Sequence, residues 1–218
     1  MIKTVIFDMD GLLVDSEPLW REAMEHVFAG MDIYLSKDDY VKTIGLRTTE
    51  VVDYWHKQCG WKDKSTEQVS QEILEEVVER VLQKGVLMEG ATYILDFFKQ
   101  RGFKIGLASS SPMLMINTVL EHFHLKDYFL TRHSGEHQDY GKPHPSVYLS
   151  CAEELGADPL KCLVFEDSLN GLIAAKAARM KAVVVPEKEN RDKPEFSLAD
   201  MKLHSLKEFT EDTLKVIR

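Results

Sequence analysis

The 218-residue sequence contains only three cysteines, Cys59, Cys151 and Cys162, widely spaced and odd in number. Such a set suggests no disulfide framework, and a reducing cytoplasm is the simplest home. No apolar run approaches the roughly 18–20 residues that a membrane span needs, so no membrane role is expected. The opening MIKTVIFDMD meets acids after a short apolar run, whereas a secretory leader needs a longer apolar core and a small-residue cleavage site. Basic charge is also scarce: 27 Lys and Arg face 36 Asp and Glu, leaving −9 at pH 7. With no Lys/Arg block, no broad nucleic-acid surface is expected. What remains is ordinary: 44% apolar and 29% charged residues exclude disordered and fibrous classes. The length exceeds one typical domain and falls short of two, which fits either one large domain or one domain carrying a smaller insert.

Short runs rich in Val, Ile, Leu and Phe occur at 2–7, 103–108, 128–131, 162–165 and 182–185. Helical periods fill 113–123, 146–155 and 169–178 between the last four. That alternation predicts βαβ units, hence an α/β doubly wound parallel sheet with a Rossmann-like core. The first run breaks the rhythm, because the next does not arrive until Phe103. The segment between reads as helix: Pro18 can open one through Leu19, Ala23, Val27 and Phe28, Ser36 with Asp39 resembles a cap, and Val69, Ile73, Val77 and Val81 recur at helical spacing. An α-helical cap over 16–83 is therefore expected inside a core formed by 1–15 and 84–218. The polar, proline-bounded stretch 187–194 reads as a linker.

The chemistry-bearing residues fall where the strands end, the place where open α/β sheets bind ligands. Asp8-Met9-Asp10-Gly11 follows the first strand. Ser109-Ser110-Ser111-Pro112 follows the second, offering hydroxyls and helix-start N–H groups suited to an anion. Lys142 sits between Gly141 and Pro143, and Glu166-Asp167-Ser168 follows the fourth strand. Each has an ordinary alternative, as a turn, a helix cap or a solvated lysine. Four in this order are hard to explain so simply. His122, His124, His133 and His137 match no established zinc-ligand spacing, and the segment before Lys142 lacks the phosphate-binding P-loop frame.

The ordered strings FDMDGLLVDS, LASSSP, GKPHP and FEDSLNG resemble the four motifs of the haloacid dehalogenase superfamily of phosphohydrolases. DSEPLW at 15–20, GLR at 45–47, VVDYW at 51–55, KPHPSVYL at 142–149 and KAARM at 176–180 are similar to its β-phosphoglucomutase-like sugar phosphatases, nearest the 2-deoxyglucose-6-phosphate or hexitol phosphatase group. The resemblance implies Mg²⁺-dependent hydrolysis of a small sugar or sugar-alcohol phosphate through an aspartyl-phosphate. It implies Asp8 as nucleophile and Asp10 as general acid/base. The N–H groups of Met9, Asp10 and Ser110, the Ser109 hydroxyl and Lys142 would hold the phosphoryl oxygens. The metal would take Asp8, the Asp10 backbone carbonyl and Asp167, with Glu166 in a second shell or acting through a water; spacing does not decide which of Glu166 and Asp167 reaches it. Glu17, Trp20 and Arg47 are the cap candidates for substrate, and Trp55 a lesser one. In mutases of this type a histidine stands at the position of Trp20, and an indole cannot relay a proton in its way, so a phosphatase is favoured over a hexose-phosphate mutase. A phospho-accepting receiver is the alternative of a different class. No protein partner is implied, and a monomer is expected.

Overall fold

The computed structural model describes residues 2–217; the two end residues of the expected core, 1 and 218, lie outside the described residues. The first strand, β1 (Thr4–Phe7), is buried along its whole length, as a short β-branched and aromatic run covered on both faces should be. It lies at the centre of a six-stranded sheet. β2 (Lys104–Ser109) flanks it on one side and β4 (Cys162–Glu166) on the other; β3 (Thr131–Ser134), β5 (Lys181–Val184) and β6 (Met201–Lys202) complete the order β3-β2-β1-β4-β5-β6, with every pairing parallel. Phe7 pairs with Leu107 on one side and Phe165 on the other. This register delivers Asp8, Ser109, Glu166 and Asp167 to the same end of the sheet. The strand order reverses direction at β1, so a crevice opens there beyond the carboxyl ends.

Strand alternation sorts the core into two layers. Val5, Phe7, Leu163 and Phe165 face a cluster that includes Phe98 and Phe209, whereas Ile6, Cys162 and Val164 face one with Tyr148, Cys151 and Ala175. Phe98 belongs to α5 (Ala91–Lys99), and its ring lies edge-on to Phe165 at 5.6 Å. The second layer brings α7 (Ser146–Glu154) and α8 (Leu169–Ala177) against the sheet. A sixth helix, α6 (Met113–His122), follows β2, and α9 (Glu211–Ile217) closes the described chain.

Between β1 and α5 lie four helices: α1 (Glu17–Ala29), α2 (Lys37–Val41), α3 (Thr48–Cys59) and α4 (Thr66–Lys84). Pro18 occupies the first turn of α1, and Ser65 caps α4 by accepting from Gln68 N–H at 3.2 Å. α4 buries Val69, Ile73, Val77 and Val81, and α1 buries Leu19, Ala23, Val27 and Phe28 in the same apolar cluster. The chain leaves and re-enters the core side by side: Asp15 N–H donates to Val86 O and Met88 N–H to Leu13 O, both at 2.9 Å. The inserted helical cap is thus joined to the core by two adjacent segments. No helix among the described residues is long and apolar enough to cross a membrane.

The third strand differs from expectation. The apolar run 128–131 is not it; Lys126–Tyr128 is a tight 3-10 turn, and β3 is the polar TRHS that follows. β3 forms the sheet's edge, with a partner on one side only, so apolar content is a poor guide there. β6 is two residues long and escapes any run-based reading.

Candidate active site

Asp8 leaves the end of β1, its N–H still donating to Phe165 O of β4 at 3.0 Å. The next turn winds on Met9, whose carbonyl accepts from the N–H groups of Leu12, Leu13 and Val14. Gly11 makes this possible with φ +70°, and a Cβ there would stand 2.4 Å from Asp167 Oδ2. Only a glycine lets the two acidic turns approach so closely.

Lys142 reaches this point from the loop before α7 and is 3% exposed. Its Nζ donates to Asp8 Oδ1 at 2.8 Å, to Glu166 Oε1 at 2.7 Å and to Ala108 O at 3.3 Å. Tyr148 lies beneath it, with Lys142 Nζ 4.9 Å from the ring centroid and the phenol donating to Glu166 Oε1. The other oxygen of Glu166 accepts from the N–H groups of Asp167 and Ser168 and from the Ser168 hydroxyl, at 3.0, 3.1 and 3.1 Å. Ser168 Oγ in turn accepts from Gly171 N–H at 3.0 Å, capping α8. Glu166 is therefore saturated by protein donors on both oxygens. Asp167 is not: its Oδ1 is buried and without a hydrogen-bond partner among the described residues.

Carboxylate oxygens of Asp8, Glu166 and Asp167 lie within 4.8 Å of one another, all on buried residues. Burial pushes Asp8 up to about 7, against the pull of the Lys142 charge, with Glu166 and Asp10 adding to the rise. Burial, then the charges of Glu166 and Asp8, lifts Asp167 well above its ordinary value. Burial works on Glu166 too, but Lys142, Tyr148 and the Ser168 N–H outweigh it and hold its carboxyl low. Burial likewise opposes the charge of Lys142, yet Asp8 and Glu166 raise its value overall. Three clustered buried acids, two of them bonded to one ammonium and the third, Asp167, with an unpartnered oxygen, form a donor set that fits a hard divalent cation.

Asp10 sits beside them under four hydrogen bonds. Oδ1 accepts from Ser16 Oγ at 2.7 Å and Trp20 Nε1 at 3.0 Å; Oδ2 accepts from Ser109 Oγ at 3.1 Å and Ser111 Oγ at 2.7 Å. Asp8, Asp10, Glu17, Trp20, Ser109, Ser110, Lys142 and Asp167 line one cleft between cap and core. Its volume is about 130 Å³; at roughly 10–15 Å³ for each water-sized group, it suits a small ligand. Glu17 is half-buried, and burial, with Asp10 and Glu187 next, pushes it up to about 8.

Of the cap candidates, Arg47 is not brought to the cleft, and Trp55 takes the packing role that such aromatics more often have. Arg47 is absent from its lining, its guanidinium engaged instead with carbonyls of the core. Trp55 is 4% exposed, packed inside the cap. Met9 buries its side chain completely, so only its backbone can serve the site. Sequence reading missed Tyr148, Ser111 and Ser16 as partners of the acids. It also took 187–194 for a linker, although Glu187 and Glu189 line the cleft. Tyr148 was visible within KPHPSVYL, six residues after Lys142, but helical periodicity makes it a core residue and carries no sign of its hydroxyl's target.

The sequence pattern of haloacid dehalogenase-like hydrolases matches residues 2–179. Hexitol phosphatase B of Escherichia coli (strain K12) is 44% identical over 210 residues, covering 96% of this chain and 95% of the relative. A phosphorylated carbohydrates phosphatase of Thermotoga maritima is 34% identical over 184 residues, 84% of each chain. Among solved structures, CbbY from Rhodobacter sphaeroides in complex with phosphate superposes with a TM-score of 0.88 at 25% identity, over 95% of this chain and 96% of that one.

Proposed function

The chain belongs to the haloacid dehalogenase-like hydrolase family, and from that premise we propose that it hydrolyses phosphate monoesters of small sugars or sugar alcohols, with Mg²⁺ as cofactor. The observation that carries this reading is a buried Asp8 bonded to Lys142 at 2.8 Å beside the unpartnered oxygen of Asp167. The hexitol phosphatase of 44% identity makes hexitol phosphates the first candidates.

In this reading Asp8 Oδ attacks phosphorus in line, the phosphorus–oxygen bond to the sugar breaks, and Asp10 delivers its proton to the departing oxygen. Asp10 then takes a proton from a water as that water attacks the aspartyl-phosphate, which releases phosphate and restores Asp8. Lys142, the Ser109 hydroxyl and the N–H groups of Met9, Asp10 and Ser110 hold the phosphoryl oxygens, in place before charge develops. Asp8, the backbone carbonyl of Asp10 and Asp167 would hold the cation. When bound, it supplies positive charge that keeps Asp8 ionised and offsets repulsion from the phosphate dianion. Glu166, its oxygens filled by Lys142, Tyr148 and the Ser168 donors, orients from behind. Glu17 and Trp20, on the cap helix facing Asp10, are the specificity candidates. The cap, residues 16–83, excludes water on closing. We place the protein in the cytoplasm, as a monomer.

Trp20 supports hydrolysis over isomerisation: its indole donates to Asp10 and offers no basic nitrogen to relay a proton. The test is phosphate release from hexose 6-phosphates and hexitol phosphates with and without Mg²⁺. Turnover that needs Mg²⁺ and vanishes in Asp8→Asn is the expected result. A stable phospho-Asp8 without turnover would point to a receiver, and isomerisation of β-glucose 1-phosphate primed by a bisphosphate would point to a mutase.

A further inference from the structure

Arg47 belongs to the cap turn that leads into α3, where resemblance leads one to expect a substrate contact. Its geometry faces elsewhere. Arg47 Nη1 donates to Gln138 O at 2.8 Å and to Gly135 O at 3.3 Å, both carbonyls in the core loop between β3 and α7. Nη2 donates to Glu50 Oε1 at 2.6 Å, and Glu50 Oε2 accepts from Arg47 N–H at 3.1 Å. Glu50 thereby locks both the side chain and the backbone of Arg47. The planar guanidinium fork carries its donors on separate nitrogens, so Nη1 meets the two core carbonyls while Nη2 meets Glu50, a spread that a lysine's single nitrogen lacks.

The core loop is shaped to receive this pair. A Cβ on Gly141 would stand 2.5 Å from Glu50 Oε2 and 2.8 Å from Arg47 Nε, and one on Gly135 would touch Arg47 Cδ at 3.4 Å. Two further bonds hold the same cap turn from neighbouring strand ends. Ser110 Oγ donates to Gly45 O at 2.9 Å, and Asn170 Nδ2 donates to Ile44 O at 3.0 Å. Gly45 has φ +79°, and a Cβ there would sit 3.0 Å from Ser168 Oγ. Core segments that follow β2, β3 and β4 thus grip one short stretch of the cap.

The structure assigns Arg47 to holding the cap on the core: with Glu50 it is a positioning residue that seats the Ile44–Arg47 turn over the cleft, and it does not bind substrate. Because the turn is fastened by Ser110 itself and by Asn170, three residues after Asp167, cap closure and the assembly of the phosphate and metal sites are linked. Loosening the latch lowers the closed fraction, and apparent ligand affinity falls in proportion.

Hydrogen exchange on the free, full-length protein tests this without requiring turnover, so its outcome is separate from that of the phosphatase reading. Arg47→Ala removes the latch from the cap side and Gly141→Ala obstructs it from the core side, leaving the cap sequence intact. Both variants are expected to exchange about tenfold faster in peptides covering 43–51, with β1 and β4 peptides unchanged. Arg47→Lys is expected to restore little of the protection. In turnover, Arg47→Ala is expected to raise KM more than it lowers kcat. Unchanged exchange at 43–51 in Gly141→Ala and Arg47→Ala would overturn the proposal. A raised KM in Arg47→Ala without faster exchange would return Arg47 to the substrate. If Arg47→Ala speeds exchange in the core peptides as well, Gly141→Ala alone decides.

Discussion

Trp20 Nε1 donates to Asp10 Oδ1 across 3.0 Å, so a cap helix holds the core carboxylate proposed as acid and base. The indole shares that oxygen with Ser16 Oγ, which lies at the hinge where the cap begins. Trp20→Phe keeps the ring and removes only the donor. A hydrogen bond to a charged group contributes roughly 1.5–3 kcal/mol, and three hydroxyl donors to Asp10 remain. The lower end of that range applies, so kcat is expected to fall about tenfold and the unfolding midpoint by a few degrees. Steady-state kinetics on a hexitol phosphate checks this; an unchanged kcat would mean that the indole is simply packed there.

Among the described residues, Lys142 is the single ammonium bonded to both Asp8 and Glu166. Lys142→Met keeps the stem's volume but strands two buried acids. Breaking a buried pair from one side costs about 3–5 kcal/mol, and loss of a preorganised charge at the phosphoryl group about 10²–10³ in rate. The variant is expected to be destabilised in urea and nearly inactive. Lys142→Arg is not expected to rescue it, because a planar fork cannot occupy the point-charge position between the carboxylates and the Tyr148 ring. Denaturation curves and phosphate release together separate the two effects.

How far the sequence could be read follows from what each feature depends on. The central strands were legible because burial on both faces demands apolar runs, and TVIF and CLVFE have no other use. The acids, Lys142 and the serines were legible because strand ends concentrate them and their order is itself a pattern. β3 was misplaced because an edge strand needs no apolar run. The partners of Arg47 were not legible, because local sequence says where a residue sits along the chain, not which distant carbonyl it meets; Gln138 is 91 positions away. Tyr148 was hidden for the same reason, its role set by Glu166 arriving from β4. The proposed choice of Asp167 over Glu166 as ligand rests on which carboxylate finds protein donors, a property of the folded loop alone.

Gly171 exposes a constraint of this kind. A Cβ there would lie 1.7 Å from Glu166 Oε1 and 2.0 Å from its carboxyl carbon. Gly171→Ala is a favourable change for a helix in isolation, yet the carboxylate has no room to yield within its ring of donors. Overpacking of this sort typically costs about 1–3 kcal/mol. The variant is expected to lose stability and, because Asp167 follows directly, Mg²⁺ affinity as well. Urea denaturation with and without Mg²⁺ measures both losses; a variant as stable as the parent would show that Glu166 has another resting place.

The raised carboxyls give the metal-free protein an unusual pH response. Asp8 stands at about 7 and Glu17 at about 8 in the folded chain, each lifted chiefly by burial, against about 3.9 and 4.3 when unfolded. Between those values the folded state binds more protons than the unfolded one, so stability falls as pH rises. The contribution is fully present below about pH 4 and lost on passing through 7 for Asp8 and 8 for Glu17. Asp167, lifted in the same way, adds to the trend. Mg²⁺ competes with these protons for the same oxygens, so its stabilisation is expected to be small at pH 5.5 and large at pH 8. For a chain of this size 1 kcal/mol corresponds to roughly 2–4 °C in Tm, within reach of thermal melts at the two pH values with and without MgCl₂. A metal-free Tm that rises from pH 5.5 to 8, or a Mg²⁺ increment that shrinks, would contradict the buried acid cluster as the cause.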